Sequence, residues 1–300
     1  MPLCNSFSFV KLLLINKLLQ ECNLKNTFNT SNVELVGRTI NMKLIYTLIF
    51  SFFSFGLIAE TSEQYTYRAE FFFGNINEGK SYEDVKNQNM EYLKFLKDND
   101  LKYGRALFVP IWAGETKYDI IQYGYWPNGQ EQYKEWGAYM NKYPAWASEN
   151  SEFEDEAVEV GRSVSMFGVR ARGIRIPNEE YDRFKFVDFR QCSFTSNGNM
   201  ENLLDLNSRI ESSEREMGNR AGYGVHYLRP YRGFDSDIDY DFVIMRHYYN
   251  AKSRADIVTS TPSYREMMEK EGYWKEFREN INCGPQSTYR VEWLYNSSED

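Results

Sequence analysis

The chain of 300 residues has two histidines, and both lie in runs where apolar and polar residues alternate: His226 in 223–231 and His247 in 240–249. If these runs form a hairpin with Tyr231 opposite Tyr240, His226 faces Met245 and Gly224 faces His247. The imidazoles then share one sheet face as diagonal neighbours, roughly 7 Å apart at the backbone. A slip of one residue would put them on opposite faces. Arg229 and Arg246 occupy the same two strands on the face away from the histidines. A guanidinium in an aromatic strand calls for a partner. Asp188 and Glu292 are candidates, the alternative role being an anion clamp. The chemistry this set supports is proton abstraction, with His226 or His247 as base and Arg246 as anion stabiliser. Tyr123, Trp126, Tyr227, Arg229 and Tyr248 would line an apolar cavity, although core packing would use the same rings.

Other chemistries lack their residues. The chain has no glycine-rich phosphate loop, no G-x-S-x-G, no H-E-x-x-H and no C-x-x-C. The glutamates around 152–159 lack calcium-loop spacing, and no Cys/His/Asp set suggests a metal. Neither a metal nor a cofactor is expected from the residues themselves.

The elements that position these residues come in two copies. Tyr103-Gly104 and Leu107-Phe108-Val109-Pro110 return as Tyr223-Gly224 and Tyr227-Leu228-Arg229-Pro230. Tyr118-Asp119-Ile120-Ile121 returns as Tyr240-Asp241-Phe242-Val243, and Tyr133-Lys134-Glu135-Trp136 is echoed by Tyr264-Arg265-Glu266-Met267. A slowly growing offset is what loop insertions between matching elements produce. Periodicity and capping residues predict strands at 67–77, 105–112, 118–126 and 163–176, with helices at 81–99 and 130–142. The second copy has strands at 184–194, 223–231, 240–249 and 287–295, with helices at 200–217 and 261–280. The order βαββαβ is ferredoxin-like, and the boundary falls at 177–181, giving repeats 60–180 and 181–300.

Ile120, Ile121 and Tyr123 make the first hairpin apolar on both faces, so helices cover one face and something else must cover the other. The second copy is the natural cover, either sheet on sheet or as a barrel. This pattern over 65–295 resembles the dimeric α+β barrel superfamily. That group includes stress-responsive barrel proteins, NIPSNAP-like proteins and antibiotic-biosynthesis-type monooxygenases, and the haem-binding chlorite dismutase and dye-decolourising peroxidase groups. The resemblance implies an α+β fold of two tandem ferredoxin-like repeats in which the chain acts as its own dimer partner. In such a sheet the first and fourth strands are neighbours, which implies a Cys192–Cys283 disulfide. Haem is implied by some relatives, but their proximal histidine does not usually lie on this hairpin.

Residues 42–59 read as a secretory signal peptide: Met42-Lys43, an apolar run from Leu44, and Ala59 at the cut. Residues 1–41 then read as an upstream mis-extension. The rival is a single-pass anchor whose short arm carries Lys11, Lys17, Lys25, Arg38 and Lys43. Either way residues 60–300 face away from the cytoplasm, periplasmic or secreted, with the mature domain outside the bilayer. That part carries 30 basic and 41 acidic side chains, a formal charge of −11. Such a balance opposes binding to nucleic acid. The expectation is a small-molecule-binding protein, or a cofactor-independent enzyme, acting on an apolar or aromatic ligand between the sheets. The alternatives are a non-catalytic interaction protein whose repeats bury each other, and a haem-binding barrel.

Overall fold

The computed structural model describes residues 67–296 apart from 115, 154, 220 and 260. The segment read as a signal peptide, and the residues before it, lie outside the described residues. The first unit runs β1 (Tyr67–Ile76), α1 (Tyr82–Asp98), β2 (Gly104–Trp112), β3 (Ile120–Trp126), α2 (Gly129–Asn150) and β4 (Val158–Ile174). The second runs β5 (Phe184–Phe194), α3 (Met200–Glu216), β6 (Tyr223–Arg232), β7 (Phe242–Tyr248), α4 (Ala251–Thr259), α5 (Thr261–Lys270), α6 (Tyr273–Asn280), β8 (Ile281–Cys283) and β9 (Ser287–Asn296).

Local chemistry explains most of the boundaries. Ser81 and Asp84 form a reciprocal capping box that starts α1. Helix α2 continues eight residues past the expected end and through Pro144. Tyr143 and Trp146 in that extension pack on Phe95, at centroid distances of 5.2 and 5.7 Å, and this burial outweighs the lost backbone bond. The single helix expected over 261–280 is interrupted at Gly272, whose φ of 73° ends α5 and begins α6. A further helix, α4, precedes it.

Within each unit the first strand lies between the third and the fourth: β4-β1-β3-β2 and β9-β5-β7-β6. Strand β4 pairs with β6, and β2 pairs with β9, all antiparallel. Eight strands therefore close into a ring, with β8 added at the edge of β5. This is the dimeric α+β barrel arrangement made by one chain. Because side chains alternate along each strand, one set fills the barrel interior: Phe71, Ala106, Tyr123, Met166, Val187, Leu228, Met245 and Val291 come from all eight ring strands. The other set faces the helices, as with Tyr223, Tyr227 and Phe242 against Met200 and Leu203. Cys192 and Cys283 lie directly opposite each other on β5 and β8 and form a disulfide. Among the described residues no helix is long and apolar enough to cross a membrane.

Candidate functional site

Strands β6 and β7 pair in the register that puts His226 opposite Met245 and Gly224 opposite His247. Both histidines share the interior face with Leu228 and Met245, and their ring centroids lie 5.1 Å apart. Glycine makes the room. A Cβ on Gly224 would lie 2.4 Å from His247 Cε1, and one on Gly168 would lie 2.1 Å from the Tyr67 ring. The Tyr67 hydroxyl sits 2.9 Å from His226 Nδ1. Burial pushes the Tyr67 phenol well up, so it keeps its proton, and the direction of this hydrogen bond follows the imidazole tautomer. Burial, then the Arg170 charge, lower His226 below the ordinary imidazole value. Burial, then His226, Lys185, Arg170 and Arg175, do the same for His247. Both imidazoles are therefore neutral at pH 7, half-buried at the end of the barrel away from the hairpin loops.

The other expected partners lie elsewhere. Arg246 is on the outer face of β7, so the structure does not bring it to the histidines. Its register partner Asp188 bonds instead to Arg254 Nη1 at 2.9 Å, to the Tyr248 hydroxyl at 3.0 Å and to Thr288 Oγ1 at 2.6 Å. Glu292 receives Lys86 at 2.8 Å, Arg183 at 2.8 Å and the Tyr82 hydroxyl at 2.8 Å. Of the five proposed ligand-lining residues only Tyr123 faces the interior. Trp126 packs on Tyr103 under the helices at 5.0 Å. The Tyr227 hydroxyl accepts from Asn207 Nδ2 at 2.5 Å, and Tyr248 is committed to Asp188. Arg229, two residues from Tyr227, shares its outer face. The physical reason is common to all: once the barrel closes, even and odd positions of a strand enter different compartments.

The interior has its own cavity, at the hairpin-loop end. It measures about 330 Å³ and is lined chiefly by Phe71, Phe73, Phe189, Leu228, Val243 and Tyr289. Arg162, Gln191 and Ser287 supply the polar groups, and Arg162 pairs with Asp235 at 3.3 Å. An aromatic plug separates this cavity from the histidines: Tyr123 stacks with Phe108 at 5.2 Å, and Phe189 lies 5.9 Å from Phe108. No sequence pattern marks Arg162, Gln191 and Ser287, since only the closed ring makes their faces converge.

Haem requires an axial ligand on a cavity wall. Neither histidine lines the interior cavity, and His226 Nδ1 is engaged by Tyr67. Neither histidine is placed to ligate a haem bound there. Among the described residues no group of three or more His, Cys, Asp or Glu side chains is placed to hold a metal.

No family model matches the chain, and no curated protein sequence does. Solved structures do resemble it. A proposed monooxygenase from Lactobacillus acidophilus aligns with a TM-score of 0.44 at 10% identity, covering 77% of this chain and 95% of that one. A mutant chlorite dismutase from Candidatus Nitrospira defluvii aligns at 0.41 and 10% identity, covering 77% and 93%. A haem-binding protein from Thermus thermophilus aligns at 0.41 and 11%, covering 76% and 91%. At such overlap these are likenesses only, and the fold assignment rests on strand order and ring closure.

Proposed function

We propose that the barrel binds a small apolar or aromatic molecule in the hairpin-end cavity, with Arg162 and Gln191 orienting a polar or anionic substituent. The observation that carries this reading is the cavity itself, about 330 Å³ inside a closed apolar ring, with few polar groups converging on it. The separation of His226 and His247 from that cavity favours binding over base catalysis as the primary activity. Export is part of the proposal, supported by the signal-like 42–59 segment and by a disulfide, which suits an oxidising compartment.

Isothermal titration with naphthalene-2-sulfonate tests the reading. Saturable binding is expected, lost in Val243→Trp, which fills the cavity, and weakened in Arg162→Gln. A folded protein that releases no heat, or a Val243→Trp variant that binds equally well, would leave the interior as a shell filled by its own rings.

A further inference from the structure

A second cavity, about 400 Å³, lies on the outer face of the first unit, between the sheet and helices α1 and α2. Helix–sheet contacts are ordinarily apolar. Here the sheet presents Glu70, Arg105 and Gln122, and α2 presents Gln132 and Glu135, all buried. Arg105 is fully engaged: its Nε donates to Asn89 Oδ1 at 2.6 Å, Nη1 to the Tyr103 hydroxyl at 2.7 Å and Nη2 to Gln122 Oε1 at 2.6 Å. Glu135 accepts from the Tyr92 hydroxyl. Glu70 Oε1 accepts from Gln132 Nε2 at 2.8 Å. Glu70 Oε2 and Trp126 Nε1 have no hydrogen-bond partner among the described residues, although these residues are only 4% and 1% exposed. Gln132, Ser165 and Trp136 favour the charged form of Glu70, yet none gives Oε2 a bond of proper geometry. Buried polar atoms without partners are uncommon and call for an explanation.

The second unit supplies one. Ala69 lies opposite Tyr125, and Val187 lies opposite His247, so the next residues, Glu70 and Asp188, occupy matching positions. Asp188 is met by the guanidinium of Arg254, which lies over the rings of Phe186 and Tyr248 at 5.3 and 5.2 Å. The first unit has the acid, a second acid beside it and aromatic walls. Its nearby cation, Arg105, is turned to Asn89, Tyr103 and Gln122 instead.

We propose that this cavity binds a small organic cation, an ammonium or guanidinium on an aromatic or apolar body, with its charge on Glu70 and Glu135 and its body against Trp126, Trp136 and Tyr139. Carboxylates and aromatic faces together suit such a cation. A metal ion would need a denser oxygen shell than two carboxylates give. Ionised Glu70 and Glu135 beside Arg105 leave one negative charge for a monocation to neutralise. The remaining titratable groups on the cavity are phenols, Tyr92 from α1, Tyr103 before β2, and Tyr139 and Tyr143 from α2, with Glu156 at the rim. Burial raises Glu70 to about 7, and burial with the Glu70 charge raises Glu135 to about 8. A cation binds their ionised forms, so affinity rises from pH 6 to pH 8 and protons are released.

Isothermal titration of the intact protein with phenethylamine, and with 2-phenylethanol as the neutral control, tests the proposal. The expected result is saturable amine binding at pH 8, at least tenfold weaker at pH 6, with no binding of the alcohol. Glu70→Gln, which keeps the shape of the side chain, is expected to weaken the amine at pH 8 by about tenfold or more. Trp136→Ala lies at the partly exposed rim and leaves the fold intact, and it should also weaken binding. The proposal is overturned if the alcohol binds as well as the amine, if the amine fails to bind at pH 8, or if both variants bind it unchanged. None of these residues lines the barrel interior, so this result is independent of naphthalene-2-sulfonate binding there.

Discussion

Two copies of one βαββαβ unit make this protein, and they differ most where polar side chains are buried. In the second copy Asp188 is met by Arg254, Tyr248 and Thr288. In the first, Glu70 at the matching position keeps one oxygen without a partner. Inside the barrel the same comparison sets Tyr125 over Gly104 against His247 over Gly224. The frame of each unit is held by backbone pairing and apolar burial, which tolerate such exchanges. The polar positions were therefore free to diverge into a self-satisfied network in one copy and an incomplete one in the other.

Four substitutions probe the difference between the two copies. The largest effect is expected from the disulfide, which ties β5 to β8 in the second unit, while the first has no cysteine. The double change Cys192→Ser with Cys283→Ser should cost roughly 4–5 kcal/mol by loop entropy, read from urea unfolding. Next is Arg254→Met. It leaves Asp188 as a buried charge without its cation, and a loss of about 3 kcal/mol is expected, with Glu70→Gln showing no such loss. Glu70→Gln instead has a pH signature. Its folded value lies above the unfolded 4.5, so the native acid keeps its proton longer and wild-type stability falls as pH rises from 4.5 to about 7. The glutamine variant should thus gain on the wild type up to about 3 kcal/mol by pH 8, and nothing below pH 4. The smallest effect comes from His247→Tyr, which copies Tyr125 of the first unit. A histidine with a depressed folded value stabilises fully above 6.5 and loses that stability as pH falls below it. The tyrosine variant should fold and lose less stability than the wild type in melts between pH 7 and pH 4.5.

Much of the frame was legible in the residues. The Tyr-Gly and Leu/Tyr-x-x-Pro echoes pointed to the duplication, and the two-faced apolar hairpin called for a covering partner; the register that joins the histidines was one of two the residues allowed, and β6 and β7 adopt it. The disulfide followed from strand neighbourhood. The candidate cavities were not legible. Tyr227, Tyr248 and Trp126 are as aromatic as Phe71 and Phe189, and only ring closure sorts them between helix face and interior. Glu70 and Glu135 lie 65 residues apart on different elements, in stretches with no motif. Their significance comes from burial and from a missing partner, which are properties of packing. The run of α2 beyond residue 142 was not legible either, because the packing of Tyr143 and Trp146 on Phe95 depends on a neighbouring helix.

The central contrast is between an acid with its cation and an acid without one. The most direct measurement is a carbon-detected NMR titration of the glutamate side-chain carboxyls, with Glu70 assigned through Glu70→Gln. Glu70 is expected to titrate near 7 in the free protein and to shift downward when phenethylamine is added. A Glu70 that titrates near 4.5 in the free protein, unmoved by the amine, would contradict it.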